Sequence, residues 1–295
     1  MCGIVGLFLK DHSLEPSLGR FMASMLVTLS DRGPDSAGFA VYGRGTPQRV
    51  KLTLHGPADT DFPTLAAAVC AQATVTVRDD HAVISIRADQ EDAVRAALTV
   101  QAPQIRVVGA GARMELYKGV GRPQEVAGRL GLAEMAGSHA IGHTRMATES
   151  AVTTAGAHPF STGRDQCLVH NGSLSNHNGV RRVLRHEGIG FETDNDSEVA
   201  AGYLSWRMRQ GARLDEALEA AITDLDGFYT FVVGTESGFG VLRDPVACKP
   251  AVIAETDRYV AFATEYRALA ALPGIDSARV LEPAPARVYF WQREA

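Results

Sequence analysis

Met1-Cys2-Gly3-Ile4-Val5-Gly6-Leu7-Phe8 opens the chain and places a cysteine directly before an apolar run. The run from Ile4 to Leu9 predicts a buried strand, which would hold the terminus inside the fold. Removal of Met1 would leave a thiol and a free α-amine on one residue, and such an amine can accept the proton of the thiol. Cys2 is therefore a candidate nucleophile that carries its own base. The alternative is a buried cysteine that acts only as a small hydrophobe.

Composition and charge narrow the class of protein. The chain has 295 residues, of which 45% are apolar and 21% are charged, as in compact globular proteins. Its formal net charge is −5, and it has no block of Lys or Arg. This balance argues against nucleic acid or an anionic membrane as a partner, so we expect a small substrate.

The cysteines also bear on location and cofactors. Cys2, Cys70, Cys167 and Cys248 lie far apart in the sequence, so they show neither a zinc spacing nor a disulfide pattern. The first apolar run is too short for a secretory signal, and no stretch reaches the roughly 18 apolar residues of a membrane span. We therefore expect a cytoplasmic protein without a metal or another cofactor.

Apolar spacing predicts both helices and strands along the chain. Strand runs that bracket helix runs are typical of an α+β fold with antiparallel sheets. The order from 74 to 118 predicts a small ββαββ subdomain, set in an insertion at about 43–137. The predicted helices begin near Leu18, Asp89, Pro123, Asp196 and Leu214, and the predicted strands lie at 39–42, 74–77, 82–86, 105–108, 114–117, 228–233, 239–242, 250–254, 259–263 and 287–291.

Polar residues that can do chemistry lie at three further places. Arg145 ends a predicted strand, and its planar guanidinium suits a carboxylate. Asn171 and Gly172 supply a side-chain amide and a backbone N–H, a donor pair that suits an oxyanion. Asp196 opens a helix and offers a carboxylate to an ammonium group. Each has a structural alternative: an ion pair for Arg145, a hairpin turn for Asn171-Gly172 and a helix N-cap for Asp196. Together with Cys2, the three favour a functional site.

The order of the motifs resembles that of the class II glutamine amidotransferases, which belong to the N-terminal-nucleophile hydrolases. The resemblance covers nearly the whole chain except 43–137. It implies a four-layer αββα sandwich of two antiparallel sheets between helices. The motifs that carry it are Met1-Cys2-Gly3-Ile4-Val5-Gly6, Arg32-Gly33-Pro34-Asp35-Ser36, Gly142-His143-Thr144-Arg145, His158-Pro159-Phe160, His170-Asn171-Gly172, Asp196-Ser197-Glu198, Leu225-Asp226-Gly227-Phe228-Tyr229, Arg243-Asp244-Pro245, Lys249-Pro250 and Ala263-Thr264-Glu265-Tyr266-Arg267-Ala268-Leu269.

The resemblance implies an activity and its catalytic residues. Cys2 would attack the side-chain amide of glutamine with its own α-amine as the base. Asn171 and Gly172 would hold the oxyanion, ammonia would leave, and the γ-glutamyl thioester would be hydrolysed to glutamate. The segment 146–157 would form the mobile lid that is usual in this family.

The resemblance also implies how L-glutamine, or glutamate, is bound. Arg145 would hold its α-carboxylate and Asp196 its α-ammonium group. Arg32 would shape the pocket around the terminus. Thr148 and His170 complete the predicted substrate-binding set, with His170 as a support beside the pocket.

Relatives of this kind deliver ammonia to a second active site. The sequence ends at Ala295, directly after the glutaminase pattern, so we expect that site on a partner subunit. The opening from Met1 to Phe8 and the enlarged insertion resemble those of the amidotransferase-like subunit of N-methylglutamate synthase, a system related to glutamate synthase. That resemblance implies partners that include a flavin-binding subunit. Two alternatives stay open: a stand-alone amidohydrolase that acts on γ-glutamyl amides, and a non-catalytic subunit that senses a ligand or docks a partner.

Overall fold

The computed structural model describes residues 2–147 and 151–293. In these residues seven α-helices and sixteen strands alternate with short 3-10 turns. The elements are β1 (Gly3–Leu9), α1 (Leu18–Thr28), β2 (Ser36–Tyr42), β3 (Arg49–His55), α2 (Phe62–Val69), β4 (Thr74–Arg78), β5 (His81–Arg87), α3 (Glu91–Gln101), β6 (Arg106–Gly111), β7 (Met114–Val120), α4 (Pro123–Arg129), β8 (His139–Arg145), β9 (Phe160–Gly163), β10 (Gln166–Leu174), α5 (His177–His186), α6 (Asp196–Arg209), α7 (Leu214–Asp224), β11 (Gly227–Gly234), β12 (Gly238–Arg243), β13 (Val252–Glu255), β14 (Tyr259–Ala263), β15 (Arg279–Leu281) and β16 (Arg287–Gln292).

The strands form three sheets in the described part of the chain. The largest has seven strands in the order β15-β13-β14-β1-β8-β2-β7, and the second has five in the order β16-β12-β11-β10-β9. The third has four strands in the order β4-β5-β3-β6. Neighbouring strands pair antiparallel in all three sheets.

The first strand shows how the two large sheets are layered. Because side chains alternate along a strand, β1 contributes to two cores. Val5, Leu7 and Leu9 pack in the core with α1. Ile4 and Phe8 pack in the core between the two large sheets. A further core lies between the five-stranded sheet and helices α5, α6 and α7. The predicted α+β sandwich of two antiparallel sheets between helices is confirmed.

Strand β7 lies elsewhere than the sequence predicts. The apolar pattern predicts 114–117 to be part of the ββαββ subdomain, whereas β7 pairs along its whole length with β2 of the seven-stranded sheet. Met114 and Leu116 lie in the core between the large sheets, and Tyr117 lies in the core beneath α1. Because its apolar side chains alternate between these two cores, β7 is buried on both faces when it lies in the seven-stranded sheet.

The four-stranded sheet instead uses β3, a strand that the pattern analysis does not include. Val50, Leu52 and Leu54 alternate with more polar residues and pack in a separate apolar core with α2 and α3. The small α+β unit of the structure therefore spans 49–111. The outer limits of the insertion, about 43–137, stay a prediction.

No helix in residues 2–147 and 151–293 is long and apolar enough to cross a membrane.

Candidate active site at the start of the first strand

The start of β1 is fixed from both neighbouring strands. The backbone N–H of Ile4 donates to Oγ1 of Thr264 at 2.8 Å, and the N–H of Thr264 donates back to the carbonyl of Ile4 at 2.9 Å. On the other side Gly3 lies opposite Thr144 of β8. A Cβ at Gly3 would lie only 2.8 Å from Oγ1 of Thr144, so glycine lets the two strands approach. These contacts place Cys2 at the end of a rigid strand.

Two side chains hold the backbone of Cys2 itself. Its carbonyl oxygen accepts a hydrogen bond from Nε of Arg32 at 3.1 Å and another from Nδ2 of Asn171 at 3.2 Å. Arg32 also forms an ion pair with Glu265. The partly exposed thiol lies 3.8 Å from the carbonyl oxygen of Met146, just beyond β8. The sulfur therefore lies between two strand ends rather than in the core.

Asn171 and Gly172 lie within strand β10, not in a hairpin turn. A side-chain amide nitrogen carries two N–H donors, and the bond to Cys2 uses one of them. Gly172 has a φ of 150°, and a Cβ there would lie 2.0 Å from the carbonyl oxygen of Phe228. A side chain does not fit this backbone at this point, so Gly172 is required for geometric reasons.

Arg145 ends β8 next to the strand position that pairs with Gly3. The residue is 5% exposed, and its Nη1 donates to the carbonyl of Ala151 at 3.3 Å. Asp35 fixes the turn that follows: its N–H donates to the carbonyl of Arg145 at 3.1 Å, and its Oδ2 accepts from the N–H of Ala147 at 2.8 Å. The guanidinium is thus held against the segment that the sequence predicts to be the lid.

Asp196 does not cap its helix. The N-cap of α6 is Asn195, whose side chain accepts from the N–H of Ser197 at 2.9 Å. Oδ2 of Asp196 accepts from the N–H of Leu174 at 2.9 Å, while its Oδ1 lies 3.8 Å from Nδ1 of His170. Through His170 the carboxylate is linked to Asn171, and hence to Cys2.

Three buried histidines support this arrangement. Nε2 of His143 donates to the carbonyl of His170 at 2.9 Å, and Nδ1 of His170 lies 2.8 Å from Oγ of Ser197. The rings of His143 and His158 stack with centroids 4.0 Å apart. Burial lowers the pKa of His143 to about 3 and also lowers the pKa values of His158 and His170, so all three are neutral near pH 7. In the described ranges no three or more His, Cys, Asp or Glu side chains are grouped so that they could hold a metal ion.

The structure thus brings Cys2, Arg32 and Asn171 together directly, and Gly172 follows Asn171 in β10. His170 and Asp196 follow in a second set of contacts, and Arg145 lies at the adjoining strand end. Thr148, and with it part of the predicted lid, lies outside the described residues.

Four further residues form contacts at this site that the sequence does not predict. Glu265 pairs with Arg32, Thr264 holds β1, Asp35 holds the turn after β8, and Ser197 contacts His170. All four belong to motifs that carry the family resemblance, and this is the signal that could have pointed to them.

Comparison with known proteins agrees with the geometry. A family described as a glutamine amidotransferase domain matches residues 143–271. The glutamine amidotransferase-like protein GlxB of Rhizobium meliloti (strain 1021) is 60% identical over 298 residues, which cover 100% of this chain and 99% of that protein. A putative glutamine amidotransferase of Methanothermobacter thermautotrophicus is 34% identical over 307 residues, which cover 98% of this chain and 99% of that protein.

A solved structure, the glutamine phosphoribosylpyrophosphate amidotransferase from B. subtilis complexed with ADP and GMP, superimposes with a TM-score of 0.64 at 20% identity. The match covers 99% of this chain but 47% of that one, so the chain spans about half the length of this neighbour. At this identity the likeness shows the fold alone.

A cysteine held at the start of the central strand of an αββα sandwich defines an enzyme of the N-terminal-nucleophile hydrolase type. Full-length similarity then fixes the family: the chain belongs to the class II glutamine amidotransferases.

Proposed function

We propose that the protein hydrolyses the side-chain amide of L-glutamine through a γ-glutamyl thioester on Cys2 and passes the released nitrogen to a partner subunit. The observation that carries the proposal is the double hydrogen bond to the carbonyl oxygen of Cys2 from Arg32 and Asn171. A catalytic terminus must be held in one place, and these two donors hold it.

The chemistry follows from the groups at the site. After removal of Met1, the α-amine of Cys2 takes the thiol proton, and the sulfur attacks the amide carbon of glutamine. The second N–H of Asn171 and the backbone N–H of Gly172 stabilise the oxyanion. The nitrogen takes up a proton as the C–N bond breaks, so ammonia leaves. Water then attacks the thioester, which releases glutamate and returns the thiol.

The charged ends of glutamine have partners of opposite sign. Arg145 is assigned to the α-carboxylate, because a buried guanidinium can bind both carboxylate oxygens. Asp196 is assigned to the α-ammonium group. Its Oδ2 accepts from Leu174, while its Oδ1 lies 3.8 Å from Nδ1 of His170 and accepts a 3.3 Å bond from Ser197. In this scheme His170 supports Asp196, Arg32 shapes the terminus, and Thr148 belongs to the substrate-binding set.

We further propose that the partner is a subunit of an N-methylglutamate synthase or glutamate synthase-like complex, including a flavin-binding subunit, in the cytoplasm. The support is the opening from Met1 to Phe8 together with the enlarged insertion at about 43–137. The test is co-purification of a tagged chain from cells grown on methylated amines. Recovery of flavin-containing partners is expected, and recovery of the chain alone would argue against this assignment.

The glutaminase activity is tested on the purified chain. Glutamate and ammonia are measured with L-glutamine for the wild type, for Cys2→Ala and for Cys248→Ser, which removes an exposed cysteine far along the sequence. The wild type and Cys248→Ser should each form glutamate and ammonia in a one-to-one ratio and at similar rates. Cys2→Ala should form neither product. Hydrolysis of other γ-glutamyl amides in preference to glutamine would instead favour a stand-alone amidohydrolase.

A further inference from the structure

A basic pocket lies at the opposite end of the seven-stranded sheet from Cys2. Its volume is about 700 Å³, and its lining comes from the β2–β3 linker, β3, β5, the β6–β7 turn and the β11–β12 turn. Tyr42, next to this lining, pairs with Met114 of β7 on one side and with His139 at the start of β8 on the other. Cys2 instead precedes Gly3, which pairs with Thr144 near the end of β8. The length of that strand sets the separation at roughly 20 Å, so this pocket is distinct from the proposed glutamine site.

Four cationic side chains line the pocket. Lys51 is paired with Glu115 at 2.7 Å. The guanidinium groups of Arg44, Arg49 and Arg113 have no carboxylate within 4.0 Å among residues 2–147 and 151–293. Three of the four cations in this concavity therefore lack a carboxylate partner at ion-pair distance, in a chain whose net charge is −5.

Two of these guanidinium groups are held in place by neutral acceptors. Arg49 donates from Nε to Oγ of Ser85 at 2.9 Å and from Nη2 to the carbonyl of the same residue at 2.5 Å. Arg113 donates from Nε to the carbonyl of Gly43 at 2.9 Å and from Nη2 to Oγ of Ser138 at 3.2 Å. Neutral acceptors orient a guanidinium without cancelling its charge, which is how a preformed anion site is built.

The backbone around Arg113 is equally fixed. The carboxylate of Asp165 accepts from the N–H groups of Ala112, Arg113 and Met114 at 2.7–2.8 Å, so this negative charge is engaged beneath the turn. Gly45 of the linker packs so closely that a Cβ there would lie 2.1 Å from the carbonyl of Ala112. The β2–β3 linker and the β6–β7 turn are therefore packed closely together on one side of the pocket.

We propose that this pocket binds a small polyanion of the phosphate or polycarboxylate class. Its volume falls in the range of about 300–1,000 Å³ that is typical of small-molecule sites, which favours a metabolite over an acidic protein surface. Glu236 is the one acidic residue among the lining residues, so cationic lining residues outnumber acidic ones by four to one. Because β3 and β5 belong to the four-stranded sheet and Arg113 precedes β7, a bound anion would connect the small unit to the main sandwich.

The proposal is independent of glutamine hydrolysis and is tested by calorimetric titration of the full chain. Inorganic phosphate and citrate are the two probes, each at constant ionic strength adjusted with sodium chloride. The variants are Arg44→Glu, at an exposed linker position, and Arg49→Gln. Arg182→Glu, at an exposed position on α5, is the matched control.

At least one probe should bind the wild type saturably with one site per chain. The probe that binds more tightly shows whether the pocket prefers phosphate or carboxylate ligands. Arg44→Glu and Arg49→Gln should each raise the dissociation constant about tenfold or more, because each removes a charge-assisted contact. Arg182→Glu should leave it within about twofold. Absence of saturable binding of both probes would overturn the proposal, as would unchanged affinity in Arg44→Glu. Binding of a hexaglutamate peptide without binding of either small probe would also overturn it.

Discussion

The side-chain amide nitrogen of Asn171 lies 3.2 Å from the carbonyl oxygen of Cys2, although 169 positions separate the two residues. Cys2 precedes β1 of the seven-stranded sheet, and Asn171 lies on β10 of the five-stranded sheet. The bond therefore crosses from one sheet of the sandwich to the other. Packing between the two sheets sets the geometry of the terminus, so core stability and catalysis are linked at this point.

Asn171→Ala tests the oxyanion assignment. Loss of one oxyanion donor costs about 2.7–4 kcal/mol of transition-state stabilisation, so kcat for glutamine hydrolysis should fall about 100-fold to 1,000-fold. The measurement is steady-state glutaminase activity together with thermal unfolding. Asn178→Ala, at an exposed position on α5, is the matched control and should keep the wild-type rate. A full rate in Asn171→Ala would remove this residue from the catalytic set.

Gly172→Ala tests the backbone requirement next to it. The φ of 150° and the 2.0 Å approach to the carbonyl of Phe228 leave no room for a Cβ. We expect the free energy of unfolding in urea to fall by about 2 kcal/mol or more. Gly179→Ala gives the contrasting control: it lies within α5 with no atom within 4 Å of a built Cβ, and alanine should stabilise that helix by up to about 1 kcal/mol. Equal effects of the two changes would contradict the structural account.

Arg32→Gln tests the anchoring of the terminus. The substitution removes both the bond to the carbonyl of Cys2 and the ion pair with Glu265. A loosely held nucleophile should lower kcat/KM by about 10-fold to 100-fold. Arg267→Gln is the control, because Arg267 pairs with the same Glu265 at 2.5 Å but, within the described part of the chain, forms no hydrogen bond with Cys2. Comparable losses in both variants would mean that the charge of Glu265, rather than the bond to Cys2, matters.

His158→Phe tests the electrostatics of the buried histidines. Burial holds the pKa of His158 well below the ordinary value of about 6.5, and neither ring nitrogen has a hydrogen-bond partner in the described residues. Below about pH 6.5 the unfolded chain takes up a proton that folded His158 does not, so the stability that this histidine contributes falls as the pH falls.

The phenylalanine variant lacks this titration. Between about pH 5.5 and about pH 4.5 its free energy of unfolding should therefore fall by about 1.4 kcal/mol less than that of the wild type. Urea unfolding at the two pH values checks the difference. His186→Phe, at an exposed position on α5, is the control. Identical slopes for the wild type and His158→Phe would show that His158 is protonated in the folded protein.

The sequence predicts a helix or strand well where all the residues that determine it lie within that element. The predicted helix at 196–209 coincides with α6, because apolar spacing and an acidic first turn act over neighbouring residues. Strand β7 could not be assigned to its sheet in this way: its apolar residues suit any buried strand, and its partner β2 is set by the whole fold. For the same reason local patterns do not predict the contact between Asn171 and Cys2, and only the family resemblance suggested it.

The most direct test of the central claim is the intact mass of the purified chain before and after treatment with a glutamine-mimicking electrophile. The account predicts a chain that lacks Met1 and gains one adduct, which peptide mapping places on Cys2 and which excess L-glutamine prevents. A chain that retains Met1, or an adduct on exposed Cys248 with none on Cys2, would contradict an N-terminal cysteine nucleophile.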